Sequence, residues 1–157
     1  MSQLDLRAHR IPDALRDVEC IFAADVNKKG LKLEVSWDIR DEIAIYDGLK
    51  LKQIELNILG NAVKYTPAGG RIRIYGDGET LVIADSGIGI RPEDLPRVFE
   101  KGFTGYNGRE DKKSTGIGLY LCRRVMDRLN HGISIVSRPV QGTLVRLDLS
   151  RGRRVVE

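Results

Sequence analysis

From Pro12 to Lys29 the apolar residues Leu15, Val18, Ile21, Phe22 and Val26 recur on one side of a helical repeat. Pro12 suits a first helical turn and Gly30 a stop. Leu31 to Val35 alternates apolar and polar positions and predicts a strand, and Ile43 to Tyr46 predicts another. Asp47 is placed to cap a helix reaching about Tyr65, which Thr66-Pro67-Ala68-Gly69-Gly70 then breaks. Arg71 to Tyr75 and Thr80 to Ala84 alternate around a hairpin turn at Gly76-Asp77-Gly78. A glycine-rich loop follows Asp85, then a short helix from about Pro92 to Phe99. Lys101 to Ser114 is polar, contains glycines and shows no period, so it reads as a loop. Gly116 to Leu129 predicts the last helix; Ile133–Val136 and Leu144–Leu147 predict two final strands.

Hairpins mixed with a few helices suggest an α+β two-layer sandwich. The expected form is a mixed, mostly antiparallel sheet of about five strands on about three helices. Neither a repeat nor a low-complexity linker divides the chain, so residues 1–157 read as a single domain.

Composition narrows this little. At 157 residues, 41% hydrophobic and 31% charged, the chain suits one domain with a proper core. No apolar run approaches the roughly 20 residues of a membrane helix, and the polar start, Met1-Ser2-Gln3-Leu4-Asp5, is not that of a signal peptide. The net charge of +4 is spread among charges of both signs, without the basic face of a nucleic-acid binder. Cys20 and Cys122 lie far apart and read as two buried thiols, and two histidines are too few for a histidine metal site.

Three polar constellations interrupt this pattern. In Asn57-Ile-Leu-Gly-Asn-Ala-Val-Lys-Tyr65, residues Asn57, Asn61 and Lys64 fall within about 60° of helix arc. Ile54, Ile58 and Ala62 flank the stripe on one side and Leu56, Leu59 and Val63 on the other, so it is expected to be framed by apolar surface. Buried amides need partners. These are either other protein groups or a ligand, since an amide oxygen can ligate Mg²⁺ and a lysine can meet phosphate. Asp85-Ser-Gly-Ile-Gly-Ile90 follows a strand, and its glycines allow close approach to a ligand. An ordinary turn would read the same. Ser114-Thr-Gly-Ile-Gly-Leu119 enters a helix, where free N–H groups favour an anion. Neither a P-loop nor G-x-G-x-x-G is present.

In this order the three resemble the ATP-binding catalytic domain of bacterial sensor histidine kinases, within the group that includes Hsp90-, MutL- and gyrase-type ATPases. Nearly the whole chain is covered. Asn57–Tyr65 resembles the N box, Asp85–Gly89 the G1 box, Phe99–Phe103 the F box, Gly116–Leu119 the G2 box and Gly142-Thr143 the last box. The resemblance implies the Bergerat ATP-binding fold, with ATP and Mg²⁺ as ligands. It implies that Asp85 accepts a hydrogen bond from the adenine amino group with support from Thr143, and that Gly87 and Gly89 shape the adenine pocket. Asn61 would ligate Mg²⁺, Lys64 would meet phosphate, and Tyr65 would pack near sugar or base. Gly116, Ile117, Gly118 and Leu119 would face the phosphates at one hinge of a lid spanning about 100–116, with Phe99 and Phe103 at its other end. That lid is expected to move.

Asn57 bears on the reaction. In related ATPases the position resembles a glutamate that activates water, which asparagine cannot do. Transfer to another nucleophile is therefore expected over hydrolysis. Glu55, about 200° round the helix from Asn57, is assigned a structural role. Neither His9 nor His131 resembles the family's phosphoacceptor. The chain thus resembles an isolated catalytic domain, with its dimerisation and phosphoacceptor domain elsewhere in a longer, membrane-anchored parent. The resemblance implies a cytoplasmic domain, monomeric in isolation, whose partners are that dimerisation domain and a response regulator, with no nucleic acid. Two departures are Ser114, where many members carry a further glycine, and the F box Phe99-Glu-Lys-Gly-Phe103. The latter, with Asn107-Gly108-Arg109 and Ser114 to Leu121, resembles small bacterial membrane kinases responding to envelope stress or antimicrobial peptides. Alternatives are a serine kinase of the anti-sigma-factor type and a non-catalytic, nucleotide-gated interaction module.

Overall fold

The computed structural model describes residues 6–36, 43–101 and 118–149, with side chains described for 19–36, 52–101 and 118–149. Strand β1 (Leu6–Arg10) leads into helix α1 (Ile11–Lys29). Helix α1 ends because Gly30 turns left-handed, at φ 70°. The N–H of Gly30 then bonds the Asn27 carbonyl at 3.2 Å and that of Leu31 bonds Val26 at 3.0 Å, satisfying the last carbonyls. Strand β2 (Lys32–Ser36) follows, then β3 (Ile43–Asp47), helix α2 (Gly48–Tyr65), β4 (Arg71–Asp77) and β5 (Thr80–Asp85). Helix α3 (Gly118–Arg128), β6 (Gly132–Arg138) and β7 (Gly142–Asp148) complete the described chain.

Five strands form one sheet in the order β2-β4-β5-β7-β6; β2 runs parallel to β4 and the other pairs are antiparallel. Strand alternation gives this sheet one apolar face. Ile72 and Ile74 of β4, Leu81 and Ile83 of β5, and Val145 and Leu147 of β7 are buried there. Ile54, Ile58, Leu59 and Ala62 of α2 and Cys122 and Met126 of α3 complete the core. Helix α1 meets α2 at Gly60, where an added Cβ would lie 3.3 Å from the Phe22 ring. The expected two-layer α+β architecture is thus observed.

Several details differ from expectation. Strand β1 was not predicted; it pairs with β3 in a separate two-stranded sheet, so Ile43–Asp47 lies outside the main one. Strand β4 extends to Asp77, and the hairpin turns at Gly78-Glu79. In place of a helix over Pro92–Phe99 only a 3₁₀ turn forms, at Leu95–Arg97. Pro96 lacks the N–H that an α-helix would require there. Ile21 is 53% exposed and does not join Phe22 and Val26 at the core. Cys20 is exposed, and only Cys122 is the buried thiol expected. The start of the last helix at Gly116, the loop after Lys101, the side chains of Leu15, Val18 and Asp47, and the C-terminal arginines lie outside the described residues.

Candidate functional site

Asp85 ends β5, and the strand register places it opposite Thr143 of β7, which in turn lies opposite Ser137 of β6. The three side chains therefore form one row across the helix-facing side of the sheet. One carboxylate oxygen of Asp85 accepts the N–H of Gly87 at 2.8 Å. Burial pushes the Asp85 carboxyl above its ordinary pKa, while the N–H groups of Gly87 and Thr143 act in the opposite sense by bonding the charged form. A half-buried acceptor at a strand end results, suited to an amine donor.

The loop after Asp85 is fastened on three sides. The N–H of Ile88 bonds the Tyr65 carbonyl at the end of α2 at 3.1 Å. The N–H of Ile90 bonds Ser137 Oγ at 2.8 Å. The Ile88 carbonyl accepts the N–H of Val140 at 2.7 Å. Glycine is required where these segments meet. A Cβ on Gly87 would lie 2.7 Å from both Asp85 Oδ1 and the Tyr65 carbonyl. At Gly89, with φ 76°, it would collide with the Arg138 carbonyl, and at Gly142, with φ 114°, with that of Asp85.

Helix α2 supplies the opposite wall. Its polar stripe is less enclosed than expected: Asn57 and Lys64 are exposed and Asn61 is half-buried, while Ile54, Ile58, Leu59, Ala62 and Val63 are buried. The apolar neighbours turn into the core, and Asn57 lines an open groove. Asn57 Nδ2 donates to the Gln53 carbonyl at 3.2 Å. Its Oδ1 is directed toward α3, where a Cβ on Gly118 would come within 3.0 Å. The N-box helix and the end of the G2 box are thus brought together, with Leu119 half-buried beside Gly118. Lys64 Nζ lies 5.1 Å from the centroid of the Tyr65 ring. A groove of about 380 Å³ runs between α2 and α3 and is lined in part by Leu56, Asn57, Leu121 and Val125.

Phe99 packs under Arg123 of α3 at 4.9 Å, and Lys101 lies 5.9 Å from the Tyr120 ring. The segments flanking residues 102–117 therefore meet on α3. Gly116, Ile117 and Phe103 lie outside the described residues.

Two residues of the site were not anticipated. Ser137 bonds the glycine loop, and Lys29 Nζ reaches from α1 to the Val63 and Lys64 carbonyls at 2.7 and 3.0 Å, holding the end of α2. Neither carries a local sequence mark, since a serine in a strand and a lysine at a helix end are ordinary.

This arrangement defines a class before any comparison: a sheet floor with one half-buried carboxylate, its loop tied to the end of a helix carrying amides and a lysine, suits a purine nucleotide. Residues 46–153 match the family described as histidine kinase-, DNA gyrase B- and HSP90-like ATPase, and the chain belongs to that family. Among its relatives is the sensor histidine kinase YxdK of Bacillus subtilis, 36% identical over 117 residues, 71% of this chain and 36% of that protein. The sensor protein BceS of Halalkalibacterium halodurans is 36% identical over 133 residues, 82% of this chain and 39% of that protein. The chain therefore spans little more than a third of these relatives' length. The fold is that of the catalytic domain of histidine kinase ThkA, with a TM-score of 0.80 and 22% identity over 96% of this chain and 100% of that one. Full-length ShkA in complex with AMPPNP gives a TM-score of 0.77 and 25% identity over 93% of this chain and 31% of that one. Family and relatives together make this an ATP-binding catalytic domain of the sensor histidine kinase kind.

Proposed function

We propose that the domain binds ATP with Mg²⁺ in the cleft between α2, the glycine loop and α3. In the full-length protein it would transfer the γ-phosphoryl group to a histidine on a separate dimerisation domain. The observation that carries this reading is that two chemistries are tied together: the loop that follows the half-buried Asp85 acceptor bonds the end of α2 at the Tyr65 carbonyl, next to Lys64 of the Asn57–Asn61–Lys64 stripe.

Asp85 and Thr143 take the adenine edge, Gly87 and Gly89 let the base approach the backbone, and Tyr65 packs beside sugar or base. Lys64 meets phosphate as a point charge. By the family resemblance, Gly116, Ile117, Gly118 and Leu119 would meet the phosphates. Asn61 suits Mg²⁺, because magnesium takes oxygen donors and keeps several waters and phosphate oxygens. Its half-buried carboxamide has no hydrogen bond to another described residue, and no trio of His, Cys, Asp or Glu competes for the metal among the described residues. Bound there, the metal would neutralise phosphate charge. Asn57 lacks the basicity to activate water, which favours transfer over hydrolysis.

The partners that follow are the parent's dimerisation domain and a response regulator; the solved complex of ThkA with the response regulator TrrA supports the latter. The parent would be a membrane-anchored kinase of the envelope-stress type, with this domain on the cytoplasmic side and monomeric when isolated.

Calorimetric titration with ADP and a non-hydrolysable ATP analogue tests the site. Binding should strengthen with Mg²⁺ and be lost in Asp85→Asn. With a separately supplied dimerisation domain, the chain should form acid-labile phosphohistidine, and Asn61→Asp should abolish it. Transfer unaffected by Asn61→Asp would sink the metal assignment.

A further inference from the structure

Ser137 Oγ stands at the meeting point of three hydrogen bonds. It receives the Ile90 N–H at 2.8 Å, lies 3.0 Å from the Gly142 carbonyl and lies 2.7 Å from Thr143 Oγ1. A hydroxyl has one proton and two lone pairs. Ile90 N–H can only donate, and the Gly142 carbonyl can only accept. All three bonds are made at once in a single arrangement: Ser137 donates to Gly142 and accepts from both Ile90 and Thr143. If Ser137 instead gave its proton to Thr143, the bond to Gly142 would be lost. The Thr143 proton is therefore committed to Ser137, and the free side of Thr143 Oγ1 offers only lone pairs.

We infer that Ser137 is a positioning residue that fixes Thr143 as an acceptor and so makes the floor of the site selective for a base with an exocyclic amine. This rests on the reading of Asp85 and Thr143 as the adenine site. Asp85 is an acceptor beside Thr143 on the next strand. Two fixed acceptors suit the C6 amine of adenine, which carries hydrogens. They oppose the C6 carbonyl of hypoxanthine or guanine, which would leave lone pairs facing lone pairs. Free rotation of the Thr143 hydroxyl would relax this opposition, because its proton could then turn to a carbonyl. Ser137 also holds the glycine loop through Ile90, so its loss should weaken adenine binding as well as blur the choice.

Titration of ADP and inosine diphosphate, in Mg²⁺, into the wild-type chain, Ser137→Ala, Ser137→Thr and Asp85→Asn tests this. Ser137→Ala should weaken ADP binding about ten-fold, the scale of one or two lost hydrogen bonds. It should also reduce the preference for ADP over inosine diphosphate by about ten-fold. Ser137→Thr, which keeps the hydroxyl, should restore the preference. Equal weakening of both nucleotides in Ser137→Ala, or no change in either, would overturn the inference while ADP binding lost in Asp85→Asn upheld the site. Wild-type and Asp85→Asn chains that bind ADP equally, or not at all, would overturn the site and the inference together. Thermal unfolding of Ser137→Ala separates a folded variant from a collapsed one, and Ser137→Thr carries the test if the alanine variant does not fold.

Discussion

Glu55 shares a turn of α2 with Asn57, yet the two lead opposite lives. Asn57 is exposed to the groove, whereas Glu55 is fully buried and neither carboxylate oxygen has a hydrogen-bond partner among the described residues. Burial raises its pKa from 4.5 to about 8, against a smaller opposing pull from Lys52. The folded chain therefore holds a proton that the unfolded chain releases. Glu55 costs no ionisation penalty at pH values below 4.5, and stability falls as pH rises from there toward 8. Glu55→Leu should stabilise the domain by roughly 2 kcal/mol at pH 8 and by clearly less at pH 5. Denaturant unfolding at the two pH values checks this, and a gain independent of pH would refute it. The residue types at the site were legible in advance, because Asn, Asp and Gly at these spacings have chemical reasons to recur. Their exposure was not. The apolar neighbours of Asn57 and Lys64 implied burial, but which sector of α2 meets the sheet and which meets the cleft is decided by packing.

The ends of elements show a similar division. Gly30 was legible as the stop of α1 because glycine enters left-handed backbone at little cost. Asn130 does the same for α3, at φ 59°, with the His131 N–H bonding the Met126 carbonyl at 2.9 Å. Strand β1 was missed, since Leu6–Arg10 is a strand only through its pairing with β3. The Pro92–Phe99 segment reads in sequence as a short helix, although Pro96 disfavours one there. The turn between β6 and β7 carries a local conflict of its own. Val140 is held at φ 68°, a region that β-branched residues avoid, and its side chain is 87% exposed. Val140→Asn should relieve this strain and stabilise the domain by about 0.5–1 kcal/mol, because asparagine tolerates the conformation and no packing is lost. Thermal unfolding measures it, and a lowered midpoint would show that valine is preferred there.

At the scale of the molecule, the mixed order of strands and helices was enough to indicate a two-layer α+β domain. What it could not show is how the layers meet at the site. The glycine loop after Asp85 is tied to Tyr65, to Ser137 across 47 residues of chain, and to Val140. These ties join α2, β6 and the turn that precedes β7, which are remote in sequence. Closing long loops costs entropy before the contacts can repay it, so non-local contacts form late. Hydrogen bonds within the helices can form early; the floor of the cleft cannot exist until the C-terminal hairpin has docked. On dilution from denaturant, helical circular dichroism should recover before the chain regains its capacity for a fluorescent ADP analogue. Simultaneous recovery would mean that the floor assembles with the helices. The order matters for a chain emerging from the ribosome: the polar residues Asn57, Asn61 and Lys64 of α2 are synthesised long before β6 and β7, yet they stay idle until the last strands arrive. Competence for nucleotide is then a certificate of completed folding, withheld from every shorter intermediate.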